Sequence, residues 1–128
     1  MRKAKAIIVG RGKLKATASL ELAQSSTDKA IGLSGRSDVP DGFGMMFDSV
    51  GVYWMKGVKV PLDIVFADKT GKIIEIQTMP APLSGQAFKY YRPRFKGAEI
   101  TFEFKSGWLR KNGVTPGDRI VVLGENNA

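Results

Sequence analysis

Cysteine and histidine are both absent from the 128-residue chain. Their absence excludes zinc sites built from cysteine and histidine ligands. Without cysteine the chain has no disulfides, so the redox compartment cannot be inferred from them. The absence of both residues also excludes the Ser-His-Asp triad, cysteine nucleophiles and acid–base catalysis by histidine. Any catalytic chemistry would therefore depend on Asp, Glu, Lys, Tyr, Ser or Thr. We expect no metal site and no cofactor.

Long hydrophobic runs are missing as well. The apolar run at residues 6–9 is followed at once by Arg11 and Lys13, so it is too short for the hydrophobic region of a signal peptide. No stretch approaches the length of a transmembrane helix. We therefore expect a cytoplasmic protein, or a mature form from which a targeting segment has been removed.

Acidic residues are scarce relative to basic ones. The chain has 12 Asp and Glu against 20 Lys and Arg, which gives a formal net charge of +8. Such a charge favours an anionic partner, such as nucleic acid, an acidic lipid surface or a phosphorylated ligand. A solvated basic surface fits the same composition, so the partner stays open.

Alternating apolar and polar residues predict a mainly β fold, a β-rich α+β domain. The spacing of the strands suggests a small antiparallel barrel or sandwich with one or two short helices. Ser25 stands three residues before Asp28, which is typical of a helix N-terminus. Strands are expected at residues 13–22, 43–47, 52–55, 62–67, 72–78, 98–104 and 118–123, and helices at 26–33 and 108–112.

The length of the chain is typical of one domain with a single core. We expect residues 1–12 to form a basic N-terminal arm or an edge strand, because they carry four basic residues and no acid. Residues 13–124 would form the globular β-rich domain. Residues 125–128 would form a short tail.

Several short motifs follow one another in a characteristic order. They are Gly32-Leu33-Ser34-Gly35-Arg36, Gly44-Met45-Met46-Phe47, Trp54-Met55-Lys56, Pro61-Leu62-Asp63-Ile64-Val65-Phe66, Gly71-Lys72-Ile73, the stretch 99–108, Gly113-Val114 and Gly117-Asp118. From about Leu14 to Leu123 the chain resembles the family called domain of unknown function 192. The resemblance implies a compact β-rich domain of bacteria, archaea and some phages, often exported, with no known activity.

Two features depart from the common pattern of that family. Its Trp-Met-Lys motif usually continues with Asn-Thr, whereas Gly57-Val58 stands there in this chain. An Arg is common at the start of the first helix, but none lies near Thr27 or Asp28. If the Asn-Thr pair binds a ligand in other members, this chain would bind it differently.

A candidate ligand site centres on the Trp-Met-Lys motif. Strand alternation would place Tyr53 and Met55 on one face, and Trp54 and Lys56 on the other. Trp54 could then be a stacking platform beside a cation, or a core residue with Lys56 at the sheet rim. Arg36 could clamp an anion beside the backbone N–H groups of the 32–36 loop, or lie solvated after a helix cap. The candidate ligand-binding residues are Arg36, Tyr53, Trp54, Lys56 and Asp63.

Asp63 lies in an otherwise apolar run. Burial without a partner would be costly and would raise its pKa, so Lys56 and Arg36 are candidate partners. A hydrolase-like enzyme could use Asp63 with Lys56 as its catalytic residues. The alternative is an ion pair, or a cap on a backbone N–H group. Glu99 and Glu103 share a strand face with Thr101 and are expected to be solvated.

Residues 88–96 interleave basic and aromatic side chains without an acid. Phosphates could contact the basic members of this segment, and bases could stack on its tyrosines. The alternative is a surface loop that folds its aromatic residues onto the sheet. The candidate nucleic-acid-binding residues are Lys89, Tyr90, Tyr91, Arg92, Arg94 and Lys96.

Three functional hypotheses follow from the sequence. The first is a non-enzymatic binding or accessory domain that recognises an anionic small molecule or polymer. The second is a nucleic-acid-associated basic protein. The third is the hydrolase-like enzyme. The sequence does not identify the ligand or the oligomeric state.

Overall fold

The computed structural model describes residues 1–126 of the chain. Residues 127 and 128 of the expected tail lie outside the described residues, and the last strand includes 125 and 126. The elements are β1 (Arg2–Gly10), β2 (Lys13–Ala23), α1 (Ser26–Ile31), β3 (Phe43–Phe47), β4 (Leu62–Ala67), β5 (Ile73–Met79), β6 (Ile100–Lys105), α2 (Trp108–Lys111) and β7 (Arg119–Asn126).

All seven strands of this described region belong to one sheet, in the order β5-β4-β6-β3-β2-β1-β7. The neighbouring strands are antiparallel except β2 and β3, which are parallel. The two edge strands approach each other at one end, where Lys72 and Arg119 form an isolated bridge. The mainly β fold with short helices is confirmed. The sheet is not a closed barrel, because the bridge joins its edges only at that end.

Both faces of the sheet are covered, so its central strands are buried on both sides. All six residues of β4 are buried. Val65 and Ala67 belong to a core that contains Trp108 and Leu109 of α2. Ile64 and Phe66 point the other way, into a second core formed with the loops between strands. Within residues 1–126 no helix is both long and apolar enough to cross a membrane.

Two segments differ from the sequence-based expectation. Residues 52–55 do not form a strand, because the one bridge that they make within residues 1–126 is between Tyr53 and Tyr91. They cover the second core as a loop, although Tyr53 and Met55 still point inward. Residues 2–10 pair with β2 and β7, so they are neither a free arm nor an edge strand. Their lysines alternate with the buried residues Ala4, Ala6 and Ile8.

Helix α1 begins where the sequence predicts. The Ser25 hydroxyl accepts a hydrogen bond from the Asp28 N–H at 3.0 Å, which satisfies an unpaired donor of the first turn. The helix ends at Gly32, whose φ of 53° lies in a region that favours glycine. The chain then turns back over the second core through Leu33, which is buried there.

Candidate functional site

A cavity of about 150 Å³ opens on the second core, between α1, the turn after it and the 52–58 segment. We call it the Glu103 cavity. Leu33, Phe47 and Val58 give it apolar walls. Its polar, charged and aromatic lining includes Lys29, Ser34, Tyr53, Trp54, Lys56 and Glu103.

Glu103 lies at the buried end of this cavity. It sits in β6 opposite Met45 of β3 and Ile64 of β4, both of which belong to the second core. Its side chain shares a face with Thr101 because strand residues two apart point the same way. The residue is only 5% exposed.

The carboxyl group of Glu103 has no hydrogen-bond partner within residues 1–126. In the same part of the chain, every side-chain oxygen or nitrogen that is sealed from solvent has a partner. The Glu103 oxygens are therefore not sealed, and the cavity is the opening that this residue lines. A buried acceptor that faces a cavity without a partner is unusual in a folded protein.

Burial raises the pKa of Glu103 from 4.5 to about 7. Apolar surroundings disfavour the charged form, and no hydrogen bond offsets the lost hydration. The carboxyl therefore exchanges its proton near neutral pH. Burial also raises the pKa of Tyr53, with a smaller contribution from the nearby charge of Glu103.

Tyr53 contributes its ring to the cavity, and its hydroxyl bonds elsewhere. The hydroxyl donates to Thr101 Oγ1 at 2.9 Å, and Thr101 donates to the Ser49 carbonyl at 3.0 Å. The ring packs edge-on against Phe47, with 5.3 Å between centroids. The backbone of Tyr53 exchanges two hydrogen bonds with Tyr91, which holds the segment against the core.

Trp54 and Lys56 lie at the exposed end of the cavity. The Lys56 ammonium is 5.3 Å from the centre of the Trp54 ring, a cation–π distance. Trp54 is 42% exposed and also stacks on Tyr90 and contacts Phe88 edge-on. Lys56 has no ion pair within the part of the chain that the structure describes.

Two loops close over each other beside Lys56. The Ser34 hydroxyl donates to the Lys56 carbonyl at 3.2 Å, and the Gly35 N–H donates to the Gly57 carbonyl at 2.9 Å. Gly57 has a φ of 76°, and a Cβ there would overlap Ser34 Oγ. The glycine at position 57 thus permits this close contact.

Lys29, the other basic residue of the lining, is already paired. Its ammonium lies 2.6 Å from Asp48 Oδ1. Lys56 and Glu103 are therefore the charged lining residues without a counter-ion among residues 1–126. One lies at the exposed end and the other at the buried end.

Arg36 and Asp63 do not line the Glu103 cavity. Arg36 pairs with Glu21 and lies over the Phe43 ring. Asp63 shares a sheet face with Val65, on the side opposite to Glu103. Its carboxylate accepts hydrogen bonds from three groups: Thr78 Oγ1 at 2.9 Å, Ser106 Oγ at 3.2 Å and Gly107 N at 2.9 Å. Of the five expected ligand-binding residues, the structure brings together Tyr53, Trp54 and Lys56.

The basic and aromatic segment 88–96 is partly committed to the fold. Tyr91 is buried in the second core, and the Lys89 ammonium lies 5.2 Å from the centre of its ring. Arg94 bonds to the buried Glu75 through its backbone N–H and its Nε. The remaining candidate residues of the segment, Tyr90, Arg92 and Lys96, are exposed, as are Phe88 and Phe95.

Glu103 is the residue that the sequence interpretation missed. Its alternation with Phe102 and Phe104 placed it on the polar face of its strand, which was expected to be solvated. No signal in the sequence marks it, because the complete burial of Thr101 on the same face is known only from the structure. A covered face turns a glutamate from a surface residue into a cavity residue.

The fold and this cavity define a β-rich α+β domain with a small polar pocket between loops on one sheet face. The chain belongs to the family domain of unknown function 192, described as an uncharacterized ACR, whose model matches residues 7–122. The family has no assigned function, so membership fixes the fold and leaves the activity open.

Two solved structures are similar to the chain. One is a protein of Sinorhizobium meliloti 1021 that is provisionally described as a transcription regulator. It has a TM-score of 0.78 and 26% identity, over 94% of this chain and 93% of that one. The other is a protein of unknown function from Novosphingobium aromaticivorans DSM 12444, with a TM-score of 0.70 and 23% identity. That match covers 91% of this chain and 82% of that one. No curated protein matches the sequence.

Proposed function

We propose that the protein is a non-enzymatic binding domain that holds a small ligand with an anionic group in the Glu103 cavity. One observation carries the proposal: Lys56 and Glu103, both without a counter-ion in the described chain, line the same cavity. Ligand sites typically combine apolar walls with a few convergent polar groups, and this cavity does so.

The positive charge of Lys56 is the reason why we expect the ligand to carry an anionic group. An ammonium offers three donors to a carboxylate or phosphate. Trp54 holds the Lys56 side chain at the exposed end of the cavity, so its ammonium stays available to a ligand that enters from solvent. The Ser34 and Gly35 hydrogen bonds fix the backbone at the Lys56 and Gly57 carbonyls, which reduces the ordering cost of binding.

The volume of the cavity limits the size of the ligand. A volume of 150 Å³ corresponds to about five water molecules at roughly 30 Å³ each. Drug-sized ligands occupy larger pockets, on the order of 300 Å³ and above. The cavity itself therefore suits a small metabolite or one end group of a longer molecule.

Thermal denaturation with a panel of small carboxylates and phosphates tests the proposal at constant ionic strength. We expect at least one compound to raise the Tm, because a ligand that binds only the folded state stabilises it. Lys56→Met should abolish the shift. Lys59→Met is the matched control, since Lys59 is exposed, three residues away and outside the cavity lining.

Two outcomes count against a binding site here. One is a panel without any shift at millimolar concentrations. The other is an equal loss in the Lys56 and Lys59 variants, which would reduce the effect to net charge. Retention of the shift in Lys59→Met alone supports the cavity.

The other two hypotheses have less support. Nucleic-acid binding through residues 88–96 has the provisional description of the Sinorhizobium protein in its favour, but Tyr91 is buried and Arg94 is paired. A hydrolase that uses Asp63 with Lys56 lacks a shared cavity for the two residues. A cytoplasmic location stays a prediction.

A further inference from the structure

We propose that the ligand of the Glu103 cavity is a small zwitterion, with an ammonium group bound by Glu103 and an anionic group bound by Lys56. This inference rests on the proposed function, which requires only the anionic group. It adds a second recognition point at the buried end and thereby names a chemical class: short amino acids in the general sense.

The first argument is the missing partner of Glu103. Buried carboxylates in proteins are normally paired or hydrogen-bonded, because desolvation of an unpaired one is costly. Asp63 has three donors, and Glu75 has three as well. Glu103 has none within residues 1–126, although it is equally buried. A ligand that brings donors and positive charge would supply what the protein leaves out.

The second argument is the set of groups packed around Glu103. The strands on either side place Met45 and Ile64 next to it, and neither can titrate or donate. Thr101 on its own strand donates to the Ser49 carbonyl. Helix α1 contributes Lys29, which Asp48 neutralises.

The 52–58 segment contributes the remaining groups. The Tyr53 hydroxyl is bonded to Thr101, and Lys56 lies over Trp54 at the exposed end. None of the charged groups that line the cavity is bonded to the Glu103 carboxyl in the described chain. The position for a cation beside Glu103 is therefore open to a ligand.

The third argument is the character of the cavity walls. Aromatic rings attract cations through their electron-rich faces, and Phe47, Tyr53 and Trp54 all line the cavity. An ammonium group that enters past Trp54 meets rings on its way to Glu103. The same rings have no comparable attraction for an anion, which therefore stays with Lys56.

A site that binds both ends of a zwitterion would discriminate against ligands that carry only one of the two charged groups. A simple carboxylate would satisfy Lys56 and leave Glu103 unpaired. A simple amine would satisfy Glu103 and leave Lys56 unused. Sites that hydrogen-bond a group of the ligand discriminate strongly against analogues without it, because their own polar groups then stay unpaired.

Proton exchange gives the inference a measurable sign. Because the pKa of Glu103 in the folded, ligand-free protein is about 7, its carboxyl is about half protonated at pH 7. An ammonium favours the charged carboxylate, so binding of a zwitterion lowers that pKa and releases up to about half a proton at pH 7. A monoanion that accepted a hydrogen bond from protonated Glu103 would instead take up protons.

Isothermal titration calorimetry at pH 7 in two buffers with different ionisation heats measures both affinity and proton exchange. The probes are glycine, β-alanine and 4-aminobutyrate, each with the acid and the amine of matched chain length. We expect one zwitterion to bind at least about tenfold more tightly than its matched acid and amine, with proton release.

Two variants separate the ends of the site. Glu103→Gln should weaken the zwitterion at least about tenfold, abolish proton release and thereby remove the preference for the zwitterion over its matched acid. Lys56→Met should weaken both the zwitterion and the acid, and Lys59→Met should change neither. If Glu103→Gln fails to fold, proton release by the unmodified protein still decides the question.

The possible failures are distinguishable. Equal affinity for zwitterion and acid, or proton uptake on binding, overturns the zwitterion inference and leaves the proposed function intact. Binding of the amine as tightly as the zwitterion, without any effect of Lys56→Met, overturns both. Absence of binding by the acids, amines and zwitterions alike also counts against both.

Discussion

Glu75 and Glu103 are two buried glutamates of one sheet with opposite surroundings. They are 3% and 5% exposed, respectively. Glu75 accepts hydrogen bonds from the Arg94 N–H at 2.8 Å, the Arg94 Nε at 2.7 Å and the Gln77 amide at 2.9 Å. Glu103 accepts none from residues 1–126 and lines a cavity. Equal burial thus accompanies a structural role in one case and a candidate site in the other.

The pKa values of the two groups move in opposite directions. Burial by itself would raise the pKa of Glu75, but its hydrogen bonds outweigh burial and lower it. Burial raises the pKa of Glu103 unopposed. The comparison teaches that the supply of hydrogen-bond donors, rather than depth, separates a buried carboxylate that supports the fold from one that lines a candidate ligand site.

The largest effect is expected when Glu103 loses its ability to ionise. Because its folded pKa is raised from 4.5 to about 7, the stability that the protonated carboxyl contributes is complete below about pH 4.5. It is lost as the pH rises through about 7. Glu103→Gln removes this dependence, so the variant should gain on the order of 3 kcal/mol relative to the original protein between pH 4.5 and pH 8.

Chemical denaturation of both proteins at these two pH values provides the measurement. A difference between them that stays constant with pH contradicts the raised pKa of Glu103. The constant part of the difference reports how well the amide fits the cavity, and it does not enter the comparison.

A smaller effect of opposite sign is expected for Glu75. Glu75→Gln replaces charge-assisted hydrogen bonds by neutral ones and removes an acceptor, so the free energy of unfolding should fall by about 2 kcal/mol at pH 7. Since the pKa of Glu75 is lowered on folding, its contribution is present above its unfolded pKa and is lost as the pH falls. The loss in the variant should therefore shrink on acidification.

Denaturation curves at pH 7 and pH 4 measure this change. If Glu75→Gln is as stable as the original protein at pH 7, the hydrogen bonds from Arg94 and Gln77 do not hold the 88–96 segment. Glu75 would then have no structural role, and the contrast between it and Glu103 would not hold.

The smallest effect is expected for the Arg94 side chain. It is 70% exposed, so Arg94→Ala should lower the free energy of unfolding by no more than about 1 kcal/mol. Glu75 keeps the backbone N–H of residue 94 and the Gln77 amide as donors. Arg92→Ala is the matched control, since Arg92 is exposed in the same segment and has no ion pair among residues 1–126; its effect should be near zero.

Urea denaturation of the two arginine variants distinguishes them. A loss in Arg94→Ala as large as that in Glu75→Gln would show that the ion pair, rather than the backbone hydrogen bond, stabilises the segment. Equal effects of the two arginine variants would show that the ion pair between Arg94 and Glu75 does not contribute to stability.

Several local features were predictable from the sequence. The apolar run 62–67 has the bounds of β4, and Ser25 caps α1 as its spacing with Asp28 indicates. The cap depends on two residues three apart, and the apolar run is long enough to mark a strand that the sheet buries on both faces. Residues 52–55 alternate like a strand and still form a loop, because pairing requires a neighbour that only the tertiary structure could supply.

The candidate site was only partly predictable. Tyr53, Trp54 and Lys56 were identified from their motif and do line one cavity. Arg36 and Asp63 bond to residues outside the cavity, which lie 15 and 44 positions away in the chain. Sequence spacing does not show such long-range contacts. Glu103 was overlooked because alternation gives the face of a residue but not what covers that face.

By itself, the sequence determined the family, the mainly β character, the helix cap and the exclusion of cysteine and histidine chemistry. These follow from residue identity and short-range spacing. Only the tertiary structure decided which carboxylates are satisfied and which one faces a cavity. Burial and hydrogen bonding depend on residues far apart in the chain. At Glu103 the loops that cover the second core form a cavity beside a residue that alternation alone assigns to the surface.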